Sequence, residues 1–227
     1  LMNWKDNGYL LSKLKYNENS SIVEFFTENH GKCSGLIFGS TSKKVKNYLE
    51  IGNKFHLQYS YKNDGRVGYF KIEIISAHTP QYFDNQKKLL CLSSAFYLVK
   101  LLTVDLEENK KIFFLLDRFF EILKQKEWIK LYIFWELDLF KFIGYDLELK
   151  KIASTEVIDN QKNYFVESTN GKKNIPFFLI ERSSTDITKE NLISGLKLVG
   201  DFLEKTILRP NNINYPLTRQ NFLNVIK

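Results

Sequence analysis

The sequence is poor in the residues on which several specialised protein classes depend. Its 227 residues include two cysteines, Cys33 and Cys91, four prolines and one methionine. So few cysteines, so far apart, indicate free thiols in a reducing cytosol rather than a disulfide framework. The longest apolar stretches fall short of the ~18 residues of a membrane span, since Asp117 and Arg118 interrupt "KIFFLLDRFFEILK". The first residues lack the basic and apolar segments of a secretion signal. We therefore expect a cytoplasmic protein without a membrane partner.

The motifs of common enzyme classes are missing as well. The sequence contains no GxxxxGK[ST] or GxGxxG loop and no GxSxG elbow. His30 and Cys33 have the spacing of two metal ligands, but no second pair in the sequence completes a four-ligand site. We interpret His56 and His78 as surface or packing residues. The sequence therefore predicts a protein that is not an enzyme, with no cofactor and no bound metal.

What the chain has in plenty is apolar and basic side chains. It is 44% apolar and 26% charged, which is the composition of a folded protein. Its net charge is +7 and its pI about 9.1, which indicates an anionic partner. The excess is uneven: residues 1–78 carry a net +4, residues 79–150 are balanced, and residues 151–227 carry a net +3. A binding face in the N-terminal part is the first expectation.

The first 79 residues read as short strands joined by hairpin turns. Apolar or alternating segments separated by turn residues predict five strands, near 8–16, 20–28, 33–40, 54–61 and 67–77. Asn29 and Gly31 suit a tight turn between the second and third strands. Five short strands in this length predict a small closed barrel of the OB type, with a small SH3-like barrel as the rival.

After residue 79 the hydrophobic period becomes helical. Helices are predicted from Asn85 to about residue 102, over 109–125, and over 127–143 with Gly144 as C-cap. A polar insertion with weak strand signals follows at about 150–186. A further helix then begins near Asp186 or Thr188, and a last short one at Pro216. The predicted fold class is therefore α+β: an OB-fold barrel over 1–79 and an all-helical domain over 80–227 that contains the insertion.

A lysine cluster is the most prominent candidate site. Lys43, Lys44 and Lys46 follow the third strand, and no acidic residue lies between Glu28 and Glu50. One interpretation is solvated charge in a lysine-rich chain. The other is a contact to phosphates, because OB barrels combine a cationic groove with aromatic rings on which bases stack.

Further residues extend this candidate nucleic-acid site. Lys13, Lys15, Arg66 and Lys71 add positive charge on the predicted strands and turns. Tyr59 and Tyr61 are candidate stacking platforms, although their strand face also carries Phe55 and Leu57 and so predicts the barrel interior equally well.

The residues of the N-terminal region resemble those of a known family. The segment "GYLLSKLKYNENSSIVEFFTENHGKCSGLIFGSTSKK" is similar to the start of RecO DNA repair proteins. That family has a Y-x-E-x-S motif, an apolar strand ending in T-x-x-x-G, and a G-x-x-x-G followed by basic residues. The positions that match are Tyr16, Glu18, Ser20, Thr27, Gly31, Gly35 and Gly39. "LYIFWELDLFKFIGYDLELK" resembles a helix of the same family, and a final helix contains Arg219.

The resemblance implies a recombination mediator that acts in DNA repair. Such proteins bind single- and double-stranded DNA, anneal complementary strands, act with RecR, and help to load RecA on gapped DNA, which places them at the nucleoid during repair. They also bind the acidic, apolar C-terminal tail of single-stranded-DNA-binding protein. Lys197, Lys205 and Arg209 are our candidates for a contact to that tail. The alternative is a helical scaffold whose barrel docks a protein partner, with DNA contact incidental.

One departure from the family concerns zinc. Many members carry four cysteines after the "L-x-L" segment, but here Ile152 stands where the first is expected, and the region 150–186 has no cysteine. We therefore expect no zinc and an insertion held by ordinary packing.

Overall fold

The computed structural model of the protein describes residues 2–61, 67–158, 161–168 and 171–227. Its N-terminal part is a barrel whose strands are β1 (Met2–Lys15), β2 (Ser20–Thr27), β3 (Gly31–Phe38), β4 (Lys54–Tyr61) and β5 (Tyr69–Ser76). A short helix, α1 (Lys43–Lys46), lies between β3 and β4.

The barrel closes in the order β1-β2-β3-β5-β4. Strand β1 is long enough to pair along both edges: its first half runs antiparallel to β4 and its second half to β2. A register shift between Leu10 and Ser12 bends β1 where it changes partner. Closure comes from a parallel contact of β3 and β5, where Leu36 pairs with Tyr69 and the Leu36 amide donates to the Gly68 carbonyl at 2.9 Å. This non-sequential order is that of a Greek-key OB barrel, which confirms the predicted fold and excludes the SH3-like rival.

Alternation along the strands fills the barrel. Every second residue of the strands points inward, and the buried cluster contains Leu10, Val23, Phe25, Phe55 and Phe70. The rings of Phe25 and Phe70 meet edge to face, 5.0 Å apart. The turn between β2 and β3 places Gly31 at a φ of +65°, a conformation that favours glycine.

A buried carboxylate ties β1 to this turn. The side chain of Asp6 accepts hydrogen bonds from the Asn29 amide, the Asn29 side chain, the His30 ring and the Asn7 amide, each 2.8–2.9 Å long. Burial raises the pKa of the Asp6 carboxyl, but the bonds from His30, Asn29 and Asn7 outweigh it and hold this pKa below its usual range. The charged form of Asp6 therefore stabilises the barrel.

Long helices follow the barrel. They are α2 (Gln86–Leu102), α3 (Lys110–Lys124) and α4 (Trp128–Phe142), which confirms the three predicted helices. The Asn85 side chain caps α2 by accepting from the Lys88 amide at 3.1 Å. Gly144, with φ of +95°, follows the end of α4 as the sequence predicts.

The predicted insertion contains a small antiparallel sheet. After α5 (Leu149–Ile152) come the strands β6 (Ser154–Ile158), β7 (Gln161–Ser168) and β8 (Gly171–Ile175), then α6 (Phe177–Ile180). Phe165 and Ile175 are buried, so this sheet has an apolar contact surface of its own.

The C-terminal helices complete the described chain. Helix α7 (Lys189–Phe202) begins at Thr188, whose hydroxyl accepts from the Asn191 amide in a capping box. It continues as a wider π-helical segment, Leu203–Leu208, and a 3-10 turn, Arg209–Asn211. The last helix, α8 (Leu217–Ile226), begins directly after Pro216. No described helix is long and apolar enough to cross a membrane.

Internal contacts divide the chain into two compact units. One consists of Leu1–Phe120 with Pro216–Phe222, and the other of Glu121–Tyr215 with Leu223–Lys227. The barrel thus shares a unit with α2. The boundary near residue 79 that the sequence suggests stays a prediction.

We expect the substitution Asp6→Asn to destabilise the barrel by about 1–3 kcal/mol at pH 7, because an amide cannot accept all of these bonds. A carboxylate with a lowered pKa contributes stability above its unfolded pKa of about 4, and that contribution is lost as pH falls through the folded pKa. Urea unfolding of parent and variant between pH 3 and 7 measures the effect. A difference that stays constant down to pH 3 would contradict the assigned role of the charge.

Candidate nucleic-acid interface

The predicted lysine loop folds as one turn of helix at an end of the barrel. The Ser42 hydroxyl caps α1 by accepting from the Val45 amide, and Val45 packs against the barrel core. This anchoring leaves Lys43, Lys44 and Lys46 exposed. Within the described residues, no carboxylate or carbonyl group pairs with their ammonium groups, so their charge is available to an outside anion.

A cleft of about 400 Å³ lies beside α1, and we call it the basic cleft. Three lysines and one glutamate are among its lining residues, which are Lys13, Lys15, Glu18, Ser21, Ser40, Thr41, Lys46 and Leu49. Its walls also carry the hydroxyl groups of Ser21 and Ser40, whose Oγ atoms lie 2.8 Å apart. A cleft with excess positive charge and small hydroxyl groups fits a phosphate backbone.

The lysines of this cleft are not equivalent. Lys13 Nζ donates to the Leu49 carbonyl at 2.6 Å and to Glu50 Oε1 at 2.9 Å, so protein groups already neutralise it. Lys15, in contrast, is exposed and makes no ion pair with any residue that the structure describes. Lys15 and Lys46 are therefore the stronger phosphate candidates.

Two other predicted cations lie elsewhere. Lys71 is exposed on the outer face of β5, in register with Gln58 of β4, and is not part of the basic cleft. Arg66 lies outside the described residues, so its role stays a prediction from the sequence.

Tyr59 faces the interior of the barrel. Its ring stacks on Trp4 with centroids 4.8 Å apart and lies against Phe70 at 4.9 Å. A Cβ atom on Gly68 would lie 2.2 Å from the Tyr59 hydroxyl, so this ring fills the space over the Gly68 backbone. Burial raises the pKa of Tyr59. Of the two interpretations that the sequence allowed for this face, the interior one fits the geometry, and a base-stacking role for Tyr59 is disfavoured. Tyr61 is half-buried at the last residue of β4.

Exposed aromatic rings do occur, but at positions that the sequence analysis did not single out. Phe38 at the end of β3 is 64% exposed, and its ring lies 6.1 Å from that of Tyr69 at the start of β5. Alternation in "CSGLIFGS" was the available signal, because it places Phe38 on the face opposite the buried Cys33 and Ile37.

His30 and Cys33 are satisfied by protein contacts. The His30 ring bonds to Asp6 and stacks on Trp4 at 4.2 Å, while the Cys33 thiol donates to the His30 carbonyl at 3.3 Å. Burial raises the pKa of the Cys33 thiol to about 12, which makes it unreactive. Among the described residues, no cluster of three or more histidine, cysteine or acidic side chains has a metal-binding arrangement.

The three basic residues that the sequence analysis proposes for a contact to a protein tail lie in the second unit. Lys197 and Lys205 are exposed, and Arg209 pairs with Glu204 at 2.7 Å. A cavity of about 430 Å³ in this unit is lined by other residues than these three, and we call it the helical-unit cavity. Lysines and aliphatic side chains line it together with Glu127 and Thr185, its residues being Lys126, Glu127, Ile129, Lys130, Thr185, Ile187 and Leu192.

Comparison with known proteins identifies the family. A model described as "Recombination protein O N terminal" matches residues 2–78, and one described as "Recombination protein O C terminal" matches residues 85–212. The chain belongs to the RecO family of DNA repair proteins. This confirms the resemblance seen in the N-terminal motifs and connects the fold with DNA repair and recombination.

Relatives named "DNA repair protein RecO" match over nearly their whole length. The protein of Rickettsia canadensis is 30% identical over 239 residues, which cover 99% of this chain and 97% of the relative. Those of Rhodospirillum centenum and of Wolbachia pipientis from Culex pipiens are 25% and 27% identical, covering 98% of this chain and 94% and 98% of each relative. A solved asparaginyl-tRNA synthetase of Entamoeba histolytica aligns with a TM-score of only 0.29 at 10% identity over 94% of this chain and 59% of its own.

The zinc site that the family resemblance implies does not fit this chain. Structural zinc sites are built from cysteine and histidine ligands, and the sequence from 150 to 186 contains neither. In that region Phe165 and Ile175 are buried, and Lys172 Nζ lies 4.3 Å from the centroid of the Phe165 ring. The donor set therefore does not suit zinc, and the absence of bound metal stays a prediction for metal analysis.

The interior position of Tyr59 leads to a stability prediction. We expect Tyr59→Ala to lower the free energy of unfolding by about 2 kcal/mol or more, because it leaves a cavity beside Trp4 and Phe70. Tyr16→Ala is the matched control: Tyr16 is 60% exposed, and its loss should change stability by less than about 0.5 kcal/mol. Denaturant unfolding followed by circular dichroism measures both. Equal stability of the two variants would show that Tyr59 is not an interior residue.

Proposed function

We propose that this RecO-family protein is a recombination mediator that binds single- and double-stranded DNA and anneals complementary strands. One observation carries the proposal: Lys43, Lys44 and Lys46 stand exposed and without ion-pair partners among the described residues, beside a cleft that also contains Lys15, on an OB barrel. Family membership supports the role in repair.

The mechanism is electrostatic and makes or breaks no covalent bond. Two DNA strands repel each other through their phosphates, and ammonium groups that contact these phosphates release condensed counterions and reduce the repulsion. With about 4–6 phosphates contacted, the affinity for single strands should fall with salt at a log–log slope near −3 to −4. Because phosphates carry no sequence information, the protein should bind DNA with little sequence preference.

Charge reversal of the three α1 lysines tests this function. We expect Lys43→Glu/Lys44→Glu/Lys46→Glu to weaken binding of a fluorescent single-stranded oligonucleotide at least tenfold and to slow annealing. The salt slope should become shallower by about 2, since three phosphate contacts are lost.

The matched control reverses three other exposed lysines, Lys87, Lys150 and Lys205. Both triple variants have the same net charge, so a general charge effect would weaken both equally. Unchanged binding by the α1 variant would exclude α1 as the DNA contact and favour a scaffold whose barrel docks a protein.

We extend the proposal to the partners that act with RecO proteins. The protein should act with RecR and promote RecA loading on gapped DNA indirectly. The acidic, apolar tail of single-stranded-DNA-binding protein needs a pocket with aliphatic walls and a cation, and the helical-unit cavity offers Ile129, Ile187 and Leu192 together with Lys126. Lys130 is already engaged, because its Nζ donates to the Ser184 carbonyl at 2.7 Å, so the exposed Lys126 is the proposed partner of the peptide carboxylates.

Two single substitutions test whether the tail peptide binds at this cavity or at the surface lysines. We expect Lys126→Glu to weaken binding of a fluorescent tail peptide about fivefold or more, because it places a negative charge beside the peptide carboxylates. Lys205→Glu, which adds the same charge on the π-helical segment of this unit, should leave the affinity unchanged. Fluorescence anisotropy at 0.1 M salt measures both. If Lys205→Glu alone weakened binding, the tail would lie along the C-terminal helices instead.

A further inference from the structure

Helix α2 lies against part of the outer surface of the barrel. Lys100 of α2 reaches outward-facing groups of β1 and β2: its Nζ donates to the Ser12 hydroxyl at 3.1 Å and pairs with Glu24. In return Lys32 of β3 donates to the carbonyls of Lys100 and Thr103 at 2.8 and 2.7 Å. The outward side chains here are thus engaged by α2.

Next to this contact the outer face carries a row of apolar side chains in register. Leu14 pairs with Ile22, Ile22 with Leu36, and Leu36 with Tyr69, so that one row crosses β1, β2, β3 and β5. Leu14 is 68% exposed and the other three are half-buried. Phe38, two residues beyond Leu36 on the same face, places its exposed ring against Tyr69. The exposed ring of Phe38 and the half-buried ring of Tyr69 thus form an aromatic pair at the edge of a partly exposed apolar row.

We propose that Phe38 and Tyr69 form a platform on which the bases of a single strand stack, with Leu14, Ile22 and Leu36 as the apolar floor beside it. This inference deepens the proposed function and rests on it, since it names the side chains that receive the bases once the lysines hold the phosphates. Aromatic rings bind every base through its π-face, which suits a protein without sequence preference.

The charge around this platform favours a nucleic acid as the occupant. Lys71 is exposed two residues beyond Tyr69 on the same face of β5, and Lys15, which lines the basic cleft, follows Leu14 directly in β1. Neither lysine pairs with a carboxylate in the part of the chain that the structure describes. Glu24, the acidic side chain of β2 on this face, is neutralised by Lys100. The rings thus share their face of β5 with one exposed ammonium group, Lys71, while Lys15 belongs to the basic cleft, and together these supply the two features of a single-strand groove, stacking and phosphate contact.

The geometry also allows one DNA strand to place its bases on the aromatic platform and its phosphates in the basic cleft. The turn between β1 and β2 contacts the segment that leads to α1, because the Gly39 amide donates to the Asn19 carbonyl at 2.7 Å and the Thr41 hydroxyl to the Glu18 carbonyl at 2.8 Å. Phe38 directly precedes this segment, in which Ser40 and Thr41 line the basic cleft, so the aromatic platform and the cleft are adjacent along the chain.

Leucine substitutions test the platform, because leucine keeps the apolar surface and removes the ring. We expect Phe38→Leu/Tyr69→Leu to bind a fluorescent oligo(dT) about tenfold more weakly than the parent. The log–log salt slope should stay unchanged, since the phosphate contacts remain. Phe83→Leu is the matched control: Phe83 is 56% exposed outside the barrel strands, and its loss should not change the affinity. Circular dichroism and thermal unfolding verify that each variant folds.

A gain of signal provides a second, independent measurement. Phe38→Trp should retain the parent affinity, and its additional tryptophan fluorescence should be quenched when oligo(dT) stacks on the indole. Full affinity of Phe38→Leu/Tyr69→Leu, or an unquenched Trp at position 38 in a saturated complex, would overturn the platform and assign this face to a protein partner. If the parent itself fails to bind DNA, the proposed function fails as well. Binding that depends on the α1 lysines but not on the rings refutes the platform alone.

Discussion

The pairing of a single strand along both of its edges is the constraint on which the barrel depends. β1 pairs with β4 through its first half and with β2 through its second half, with the bend at Leu10 and Ser12. Since the side chains of a strand alternate with a period of two, this register decides which residues lie inside and which outside. Asp6 secures the strand by binding the turn of the next hairpin. The inward cluster and the outward apolar row both follow from this one arrangement.

Two groups of lysines in the N-terminal unit differ in their partners. Lys32, Lys54 and Lys100 are engaged with carbonyl or carboxylate groups, as is Lys13 through Glu50. These residues connect elements of the fold. Lys15, Lys71 and the three lysines of α1 are exposed and make no such pair with described residues. We expect the anionic partner at the second group, because described residues do not neutralise its charge.

This RecO-family chain has no cysteine or histidine between residues 150 and 186, where the family resemblance implies a zinc site. In this chain the corresponding region forms the sheet of β6, β7 and β8, in which Phe165 and Ile175 are buried. Apolar burial of such side chains contributes about 1.5–3 kcal/mol each to the stability of this region. Cation–π contact by Lys172 adds to the same apolar surface.

The sequence by itself determined the order of the elements, because hydrophobic period and turn residues are local signals. Five strands, the helices that follow, the cap at Thr188 and the end of α4 at Gly144 were all predictable in this way. The exposed lysines of α1 were predictable too, since no acidic residue lies near them in the chain. Closure of the barrel through β3 and β5 is a contact between distant segments, and only the tertiary structure decided it. The registers of β4 with β1 and β5 turn Tyr59 inward against Trp4, and the closure brings Phe38 beside Tyr69 on the outer face. These long-range pairings explain why the aromatic residues chosen from the sequence were not the exposed ones.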